Sequence, residues 1–210
     1  MEAGLKKGLF ITFEGSEGSG KSTQIALAAS HFKTLKKKVV VLREPGGTAI
    51  SEKIRAILLD VKNKKMSDRC EMLLYMSARA QLVEEVIKPA LSCGSVVLCD
   101  RFLDSTFVYQ GYGHGMDLSF IAEVGRFVTQ DIAPDLTFIM DIDATEGLSR
   151  IKRKKDRIEL RKMDYHNRVR QGYRALARQD PRRVKIIDVG GRGKEEIHAE
   201  IKKHLNRILP

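Results

Sequence analysis

The fold of this chain is decided by the stretch Phe13-Glu14-Gly15-Ser16-Glu17-Gly18-Ser19-Gly20-Lys21-Ser22-Thr23. It follows a short apolar run, residues 9–13, and leads into a segment with helical character, residues 23–36. The spacing G-x-x-x-x-G-K-[ST] is typical of a loop whose backbone N–H groups surround phosphate oxygens. Glycine lets the backbone curl inward, and the positive end of the following helix adds to the attraction. The stretch therefore predicts a phosphate-binding loop between a strand and a helix.

A loop of this kind binds a nucleoside triphosphate together with Mg²⁺. Lys21 brings a point charge to the β- and γ-phosphates, and the Ser22 hydroxyl is suited to ligate the metal ion. The residues predicted to bind the triphosphate are Gly15, Ser16, Glu17, Gly18, Ser19, Gly20, Lys21, Ser22 and Thr23.

Length and composition limit the class of protein. A chain of 210 residues suits one domain, so we expect residues 1–210 to fold together. No apolar stretch is long enough to span a membrane, and the run after the charged residues 1–7 is too short for a signal peptide. We therefore expect a cytoplasmic protein. Cys70, Cys93 and Cys99 are odd in number and lack a CxxC pair, which argues against disulfides and zinc. Cys93 and Cys99 adjoin an apolar run and are predicted to be buried.

The formal net charge of +11 can indicate nucleic acid, a membrane surface or small anionic ligands. The basic residues are spread over several runs, and such runs are mostly solvated faces. The sequence has no Trp and only 6% aromatic residues, so a base-stacking platform interleaved with Lys and Arg is not visible. We expect neither a nucleic-acid partner nor a membrane partner.

Five apolar runs of strand length are continuous rather than alternating: residues 9–13, 39–42, 96–99, 136–139 and 184–189. This pattern is typical of strands covered on both faces. Segments with helical character lie among them: residues 23–36, 50–59, 69–91, 118–130, 145–155, 164–178 and 194–208. The alternation predicts an α/β fold, with a five-stranded parallel sheet flanked by helices in three layers. Ligands of such sheets lie beyond the carboxyl ends of the strands.

The second and third predicted strands are each followed by an arginine. Arg43 opens the loop Arg43-Glu44-Pro45-Gly46-Gly47-Thr48 and suits a phosphate, although a surface arginine on a tight loop explains it equally well. Asp100 follows the third strand, where a second Mg²⁺ carboxylate is expected, and Arg101 beside it suits a second phosphate. Residues 150–162 are dense in charge and form either a solvated helix face or a lid that orders around polyphosphate.

Taken together, these motifs resemble the bacterial type of thymidylate kinase over nearly the whole chain. The strongest matches are the phosphate-binding loop, the block 43–48, and Asp100-Arg101 followed by Ser105-Thr106 and Tyr109-Gln110-Gly111. The strings Ser77-Ala78-Arg79 and Pro134-Asp135-Leu136-Thr137 also fit. The resemblance implies a P-loop kinase fold and the ATP-dependent, Mg²⁺-assisted phosphorylation of dTMP to dTDP by in-line transfer. It also implies a homodimer packed through helices such as 69–91.

The resemblance further implies roles for single residues. The implied catalytic residues are Lys21, Arg101, Arg153 and Arg157, and the implied metal ligands are Ser22 and Asp100. The residues implied to bind dTMP are Glu17, Arg43, Tyr75, Arg79, Arg101, Ser105, Tyr109 and Gln110. Among these, Arg43 and Arg101 clamp the acceptor phosphate. Tyr75 stacks on thymine, and Arg79 hydrogen-bonds the base. Ser105, Tyr109 and Gln110 line base and sugar.

Some members of that family carry a basic residue after the acid of the loop, where this chain has Gly18 after Glu17. The bacterial branch supplies that charge from the lid, and the string Asp156-Arg157-Ile158-Glu159 matches the lid pattern. Arg153 and Arg157 are thus the candidates for this charge, and Glu17 is expected to face the sugar of dTMP. Phe102 stands where the family often has Tyr or His, so we expect its side chain only to pack.

Two other interpretations stay open at this point. A nucleotide kinase of the same fold that acts on dUMP, CMP or AMP would be expected to lack the combination of Arg79 and Gln110. A non-enzymatic or nucleic-acid-directed P-loop protein is suggested by the net charge of +11. Such a protein would bind or turn over ATP in a polynucleotide-dependent way, with steep salt sensitivity.

Overall fold

Five strands form one sheet in the computed structural model, which describes residues 8–209. The strands are β1 (Leu9–Glu14), β2 (Val39–Arg43), β3 (Val96–Asp100), β4 (Leu136–Asp141) and β5 (Val184–Asp188). Their order is β2-β3-β1-β4-β5, and every neighbouring pair is parallel. The predicted α/β fold with a five-stranded parallel sheet is confirmed. Residues 1–7, considered above as a leader, lie outside the described residues.

Helices connect and cover the strands. They are α1 (Lys21–Thr34), α2 (Ala49–Leu59), α3 (Asp68–Leu82), α4 (Lys88–Ser92), α5 (Leu103–Thr106), α6 (Leu118–Thr129), α7 (Ala144–Ser149), α8 (Met163–Gln179) and α9 (Lys194–Ile208). A π-helical segment, Val83–Ile87, joins α3 to α4, and another, Phe107–Gly113, continues α5. Within residues 8–209 no helix is both long and apolar enough to cross a bilayer.

The central strand β1 is buried on both faces because its side chains alternate between two apolar clusters. Phe13 and its neighbours pack with Phe32 of α1 and Ile201 of α9. Phe10 points the other way and packs with Leu82 of α3 and with residues of the segment that follows it. Burial on both faces explains why the strand sequences are continuously apolar. It also produces the three layers that the pattern predicts.

The register of the sheet brings three strand ends to one edge. Asp100 at the end of β3 pairs with Phe13 of β1 on one side and with Arg43 of β2 on the other. The loops that follow β1, β2 and β3 therefore meet at this edge. This is where an open parallel sheet places its ligands.

The structure corrects several boundaries. The helix predicted over 69–91 contains the π-helical segment, and the helix predicted over 145–155 ends at Ser149. Beyond it, four consecutive basic residues, 152–155, repel one another and disfavour a helix. Residues 103–113, for which no helix was predicted, form a short α-helix followed by a π-helical segment, although their β-branched and aromatic side chains have low helix propensity. Cys99 is buried as predicted, but Cys93 is exposed because it lies in the turn before β3.

Candidate active site

The loop between β1 and α1 curls around the ammonium group of Lys21. Gly15, Gly18 and Gly20 have φ angles of 132°, 71° and 84°, which favour glycine. Lys21 Nζ donates to the carbonyl oxygens of Gly15 and Ser16, each at 3.0 Å. Burial, followed by the charge of Arg101, lowers the pKa of Lys21 to about 8. The loop thus has the curled form that its motif predicts.

The first turn of α1 faces the same opening. Its N-cap, Gly20, has no side-chain cap among the described residues, so the first N–H groups of the helix are available to an anion. Ser22 Oγ donates to Asp100 Oδ2 at 3.2 Å. The two predicted metal ligands are therefore neighbours. No group of three or more His, Cys, Asp or Glu suited to a metal occurs in residues 8–209. A hydroxyl with one carboxylate fits Mg²⁺, which takes its other ligands from substrate phosphates and water.

Gly18 packs directly against α7. A Cβ added to Gly18 would collide with the carbonyl oxygen of Gly147, and a Cβ on Gly147 would collide with that of Glu17. A side chain at this position therefore has no room here. Instead Arg150, which follows α7, reaches the loop and donates to the carbonyl oxygen of Gly18 at 3.5 Å.

A second cationic centre is formed by Arg101 with Glu17 and Tyr109. Arg101 Nη2 donates to Glu17 Oε1 at 2.9 Å, and the Tyr109 hydroxyl donates to the same oxygen at 2.8 Å. The other oxygen, Glu17 Oε2, is buried without a hydrogen-bond partner among the described residues. Burial raises the pKa of Glu17, but the charges of Arg101 and Lys21 outweigh it and leave the pKa below its usual value. Glu17 is therefore ionised and keeps one acceptor for a ligand.

Arg43 and Arg55 lie at the mouth of the cleft. Arg43 is half exposed and donates to both carboxylate oxygens of Glu52, at 3.0 and 2.9 Å. Glu52 also accepts from Gly47 N at 2.8 Å, so this carboxylate holds both the arginine and its loop. Arg55 donates to the carbonyl oxygen of Pro45 at 2.8 Å. Arg55 also lines the cleft but is not among the predicted site residues, although its spacing three residues after Glu52 on one face of α2 is a usable signal.

Arg79 is almost fully buried, lines the cleft and is bonded to three protein groups. Its Nε donates to Glu44 Oε2 at 2.8 Å, its Nη1 to Thr106 Oγ1 at 2.9 Å, and its Nη2 to the carbonyl oxygen of Phe102 at 2.9 Å. Burial raises the pKa of Glu44 against the opposing charge of Arg79. The predicted base-contacting arginine thus lines the cleft while tying the end of β2 to α5.

Glu71 is the centre of a second buried cluster. Its carboxylate accepts from Gln110 Nε2 at 2.9 Å, contacts His114 Nε2 at 3.1 Å, and pairs with Arg157 at 2.7 Å and Arg161 at 3.0 Å. Burial raises the pKa of Glu71, but the hydrogen bonds from His114 and Gln110 and the charge of Arg157 lower it to about 2. One helical turn further along α3, Tyr75 lines the cleft.

The basic segment 150–162 is divided between two environments. Arg153 lines the cleft and pairs with Glu159, with hydrogen bonds of 2.9 and 2.6 Å. Arg157 is buried and is not among the lining residues; its Nε donates to the carbonyl oxygen of Leu58 at 2.8 Å. The structure therefore brings Arg153 to the cleft and Arg157 to Glu71.

Behind Arg101 lies a group of residues, of which only Ser105 is among the predicted site residues. Ser105 lines the cleft, but its hydroxyl contacts Glu14 Oε2 at 2.5 Å and Arg101 Nη1 at 3.2 Å. The Phe102 ring is buried against Phe10, as expected for a packing residue. Tyr173 also contacts both Arg101 and Glu14. It lies 159 residues from Glu14, and no local motif marks it.

Most predicted site residues line one cleft of about 530 Å³. Those that do are Glu17, Gly18, Ser19, Gly20, Lys21, Ser22, Thr23, Arg43, Tyr75, Arg79, Asp100, Arg101, Ser105, Tyr109, Gln110 and Arg153. Gly15, Ser16 and Arg157 are not part of this lining. The cleft therefore joins the phosphate-binding loop to the second cationic centre.

Comparison with known proteins agrees with the motifs. The family model for thymidylate kinase matches residues 13–201. The chain belongs to the thymidylate kinase family. A thymidylate kinase of Halothermothrix orenii is 48% identical over 203 residues, which cover 93% of this chain and 95% of that protein. One of Roseiflexus sp. (strain RS-1) is 46% identical over 194 residues, or 86% of each chain.

A solved relative confirms the fold. The crystal structure of thymidylate kinase from Ehrlichia chaffeensis matches this chain with a TM-score of 0.79 and 35% identity. The match covers 95% of this chain and 99% of that one. The chain therefore has the thymidylate kinase fold along nearly its whole length.

Proposed function

We propose that this chain transfers the γ-phosphoryl group of ATP to dTMP and so forms ADP and dTDP. The observation that carries the proposal is the cleft of about 530 Å³, which is lined by both Lys21 and Arg101. A phosphoryl transfer between two nucleotides needs two anion sites that hold the reacting groups in line and keep water out. Membership of the thymidylate kinase family supports dTMP as the acceptor.

The donor half of the site is the phosphate-binding loop, residues 15–23, with the start of α1. Backbone N–H groups and Lys21 neutralise the phosphates of ATP. With its pKa near 8, Lys21 is mostly protonated at pH 7, and a bound polyanion favours the protonated form further. Ser22 and Asp100 would hold Mg²⁺, which supplies charge neutralisation at the β- and γ-phosphates when it is bound.

The acceptor phosphate is held by Arg101 and Arg43. Arg101 is already fixed in the cleft by Glu17, whereas Arg43 is paired with Glu52 and must exchange that partner for the phosphate. A dTMP phosphate oxygen then attacks the γ-phosphorus of ATP while the bond to ADP breaks on the opposite side. Arginine suits this place because its planar fork bonds two phosphate oxygens at once.

Sugar and base occupy the remaining cleft. The unpartnered Glu17 Oε2 accepts from a sugar hydroxyl, and the Tyr75 ring stacks on thymine. Gln110 donates its amide hydrogen to Glu71, which leaves the amide oxygen for the base. Thymine carries an N3–H that can donate to this oxygen, whereas cytosine has a bare nitrogen there. Arg79, Ser105 and Tyr109 complete the wall.

Residues 150–162 act as a lid on the kinase domain. Arg153 supplies a positive charge to the transferred group, and this requires that it leave Glu159. Arg157 can add a second charge only if the lid changes place, because Glu71 now holds it. Closure of the lid excludes water and thereby suppresses hydrolysis of ATP.

Two further features belong to the proposal. The protein forms a homodimer through the layer of α2, α3 and α6, in which α3 packs against both other helices and large apolar side chains stay exposed. It acts in the cytoplasm, which agrees with the free thiols of Cys70, Cys93 and Cys99.

The proposal is tested by a coupled assay with ATP, Mg²⁺ and a panel of monophosphates: dTMP, dUMP, CMP and AMP. We expect kcat/KM for dTMP to exceed that for CMP by at least roughly 100-fold, because cytosine has no N3–H to donate and would leave the buried amide oxygen of Gln110 unpaired. Equal turnover of all four acceptors would contradict the assignment. ATP turnover that needs a polynucleotide and collapses with salt would instead favour the nucleic-acid alternative.

A further inference from the structure

Glu14, the last residue of β1, is fully buried, and both of its carboxylate oxygens accept hydrogen bonds. Its Oε1 accepts from Phe102 N at 2.7 Å. Its Oε2 accepts from the Ser105 hydroxyl at 2.5 Å and from the Tyr173 hydroxyl at 2.9 Å. Neither Glu14 nor Tyr173 lines the cleft, so this carboxylate acts on a ligand only through its partners.

The same two hydroxyls contact Arg101. Arg101 Nη1 donates to Ser105 Oγ at 3.2 Å and to the Tyr173 hydroxyl oxygen at 3.0 Å. A guanidinium has donors only, so both hydroxyl oxygens must accept from it. Each hydroxyl has one hydrogen, and an ionised Glu14 is the acceptor that takes both. The hydrogen bonds that join Arg101 and Glu14 to the two hydroxyls therefore run in one direction, from Arg101 through the hydroxyls to Glu14, and the hydroxyl oxygens themselves lie 3.0 Å apart.

Glu14 also holds the backbone that carries Arg101. Arg101 has φ of 72°, which is the left-handed region that a side chain disfavours. Hydrogen bonds fix this turn on both sides, from Arg101 N to the carbonyl oxygen of Phe13 at 2.9 Å and from Phe102 N to Glu14. The end of β1 thus determines both the backbone and the guanidinium of Arg101.

We propose that Glu14, acting through the hydroxyls of Ser105 and Tyr173, is a positioning residue that orients Arg101 toward the acceptor phosphate. This rests on the proposed function, in which Arg101 binds that phosphate. A neutral group at position 14 must donate to one hydroxyl, whose own hydrogen then turns away from Glu14 toward the other hydroxyl oxygen, 3.0 Å away. The first hydroxyl then accepts hydrogen bonds from both position 14 and Arg101. Its bond to Arg101 weakens, and the guanidinium loses its fixed direction.

Charged groups from three neighbouring elements act on Glu14. Asp104 of α5 opposes its ionisation, while Arg101 after β3 and Lys21 of α1 favour it. Burial and Asp104 together raise the pKa of Glu14 to about 7 despite Arg101. The carboxyl therefore changes charge in the pH range in which the enzyme is assayed, and this gives the test a second readout.

The decisive variant is Glu14→Gln, which keeps the shape but presents a donor. We expect kcat/KM for dTMP at pH 8 to fall by about 10- to 100-fold while KM for ATP changes less than about twofold. The ratio of the wild-type to the variant kcat/KM is followed from about pH 5.5 to 8.5. The dTMP phosphate itself titrates near pH 6, but it does so in both assays and cancels in the ratio. We expect the ratio to rise with pH about a midpoint near 7.

Two tyrosine variants keep the test decisive if Glu14→Gln does not fold. Tyr173→Phe should lower kcat/KM for dTMP by about 3- to 10-fold. Tyr165→Phe is the matched control, since it removes a buried hydroxyl from the same helix whose partner is the carbonyl oxygen of Tyr109. Wild-type kcat/KM in both tyrosine variants, or a wild-type-to-Gln ratio near one at every pH, would overturn the inference. Failure of the wild type to phosphorylate dTMP would instead overturn the proposed function.

Discussion

At the scale of single residues, Gly18 illustrates how packing excludes a side chain from a loop. The φ of 71° and the carbonyl oxygen of Gly147 each act against any other residue there. The loop consequently has no room for a cationic side chain after Glu17. Arg150, the first residue of the segment 150–162, donates to the carbonyl oxygen of Gly18, and Arg153 of the same segment lines the cleft.

Gly18→Ala should destabilise the protein more than Gly20→Ala does. Both positions have left-handed backbone, which costs an alanine about 1–2 kcal/mol. A Cβ on Gly20 meets nothing within 4 Å, whereas one on Gly18 must displace the backbone of α7, which adds at least about 1 kcal/mol. Urea unfolding without nucleotide measures the difference. Equal losses in the two variants would show that the loop and α7 are not tightly packed in solution.

At the scale of elements, Glu71 ties α3 to the lid and to the π-helical segment Phe107–Gly113. Arg157 and Arg161 approach it from the lid, and Gln110 from the π-helical segment. Glu71 therefore contacts both Gln110, which is proposed to select the base, and the lid, which is proposed to cover ATP. Loss of this carboxylate leaves Arg157 buried without its partner.

Glu71→Gln should lower stability at neutral pH and remove part of its acid dependence. The pKa of Glu71 is lowered to about 2 in the folded protein, so its contribution is complete above its unfolded pKa and is lost as pH falls toward 2. This shift corresponds to roughly 3 kcal/mol. Unfolding free energies of wild type and variant should therefore differ most at pH 7 and converge in acid.

The matched control for Glu71→Gln is Glu52→Gln. Glu52 is a half-exposed carboxylate paired with Arg43, and its loss should cost less than about 1 kcal/mol. If the two variants lose equal stability at pH 7, or if the Glu71 difference does not shrink in acid, the buried cluster does not stabilise the ionised carboxylate.

At the scale of the whole molecule, the helices α2, α3 and α6 form one layer with exposed apolar side chains. Leu73 on α3 is 51% exposed and Phe127 on α6 is 83% exposed. A homodimer would bury them. The double variant Leu73→Glu/Phe127→Glu should halve the mass measured by sedimentation. Leu35→Glu, at an exposed apolar residue after α1, should leave that mass unchanged. A monomeric wild type would contradict the proposed dimer.

The sheet was predictable because its signals are local. Continuous apolar runs marked β1 to β5 within two residues at each end, and the loop motif located Lys21 and Ser22 at the start of α1. The family followed from short strings such as Arg43-Glu44-Pro45-Gly46-Gly47-Thr48, and the comparisons confirm it. The helix over residues 103–106 and the early end of α7 were missed, since tertiary packing and charge repulsion outweigh local propensity there.

By itself, the sequence determined the succession of strands along the chain, the phosphate-binding loop and the family, because each depends on residues that are close together along the chain. Only the tertiary structure decided which charged groups meet. It placed Arg157 on Glu71, Arg153 in the cleft, and Glu14 behind Arg101 through Tyr173. A buried charge takes whatever partner the fold brings near, and that partner can lie far away in the sequence. The phosphate-binding loop is therefore completed by residues outside its motif, such as Arg101 on Glu17 and Arg150 on Gly18.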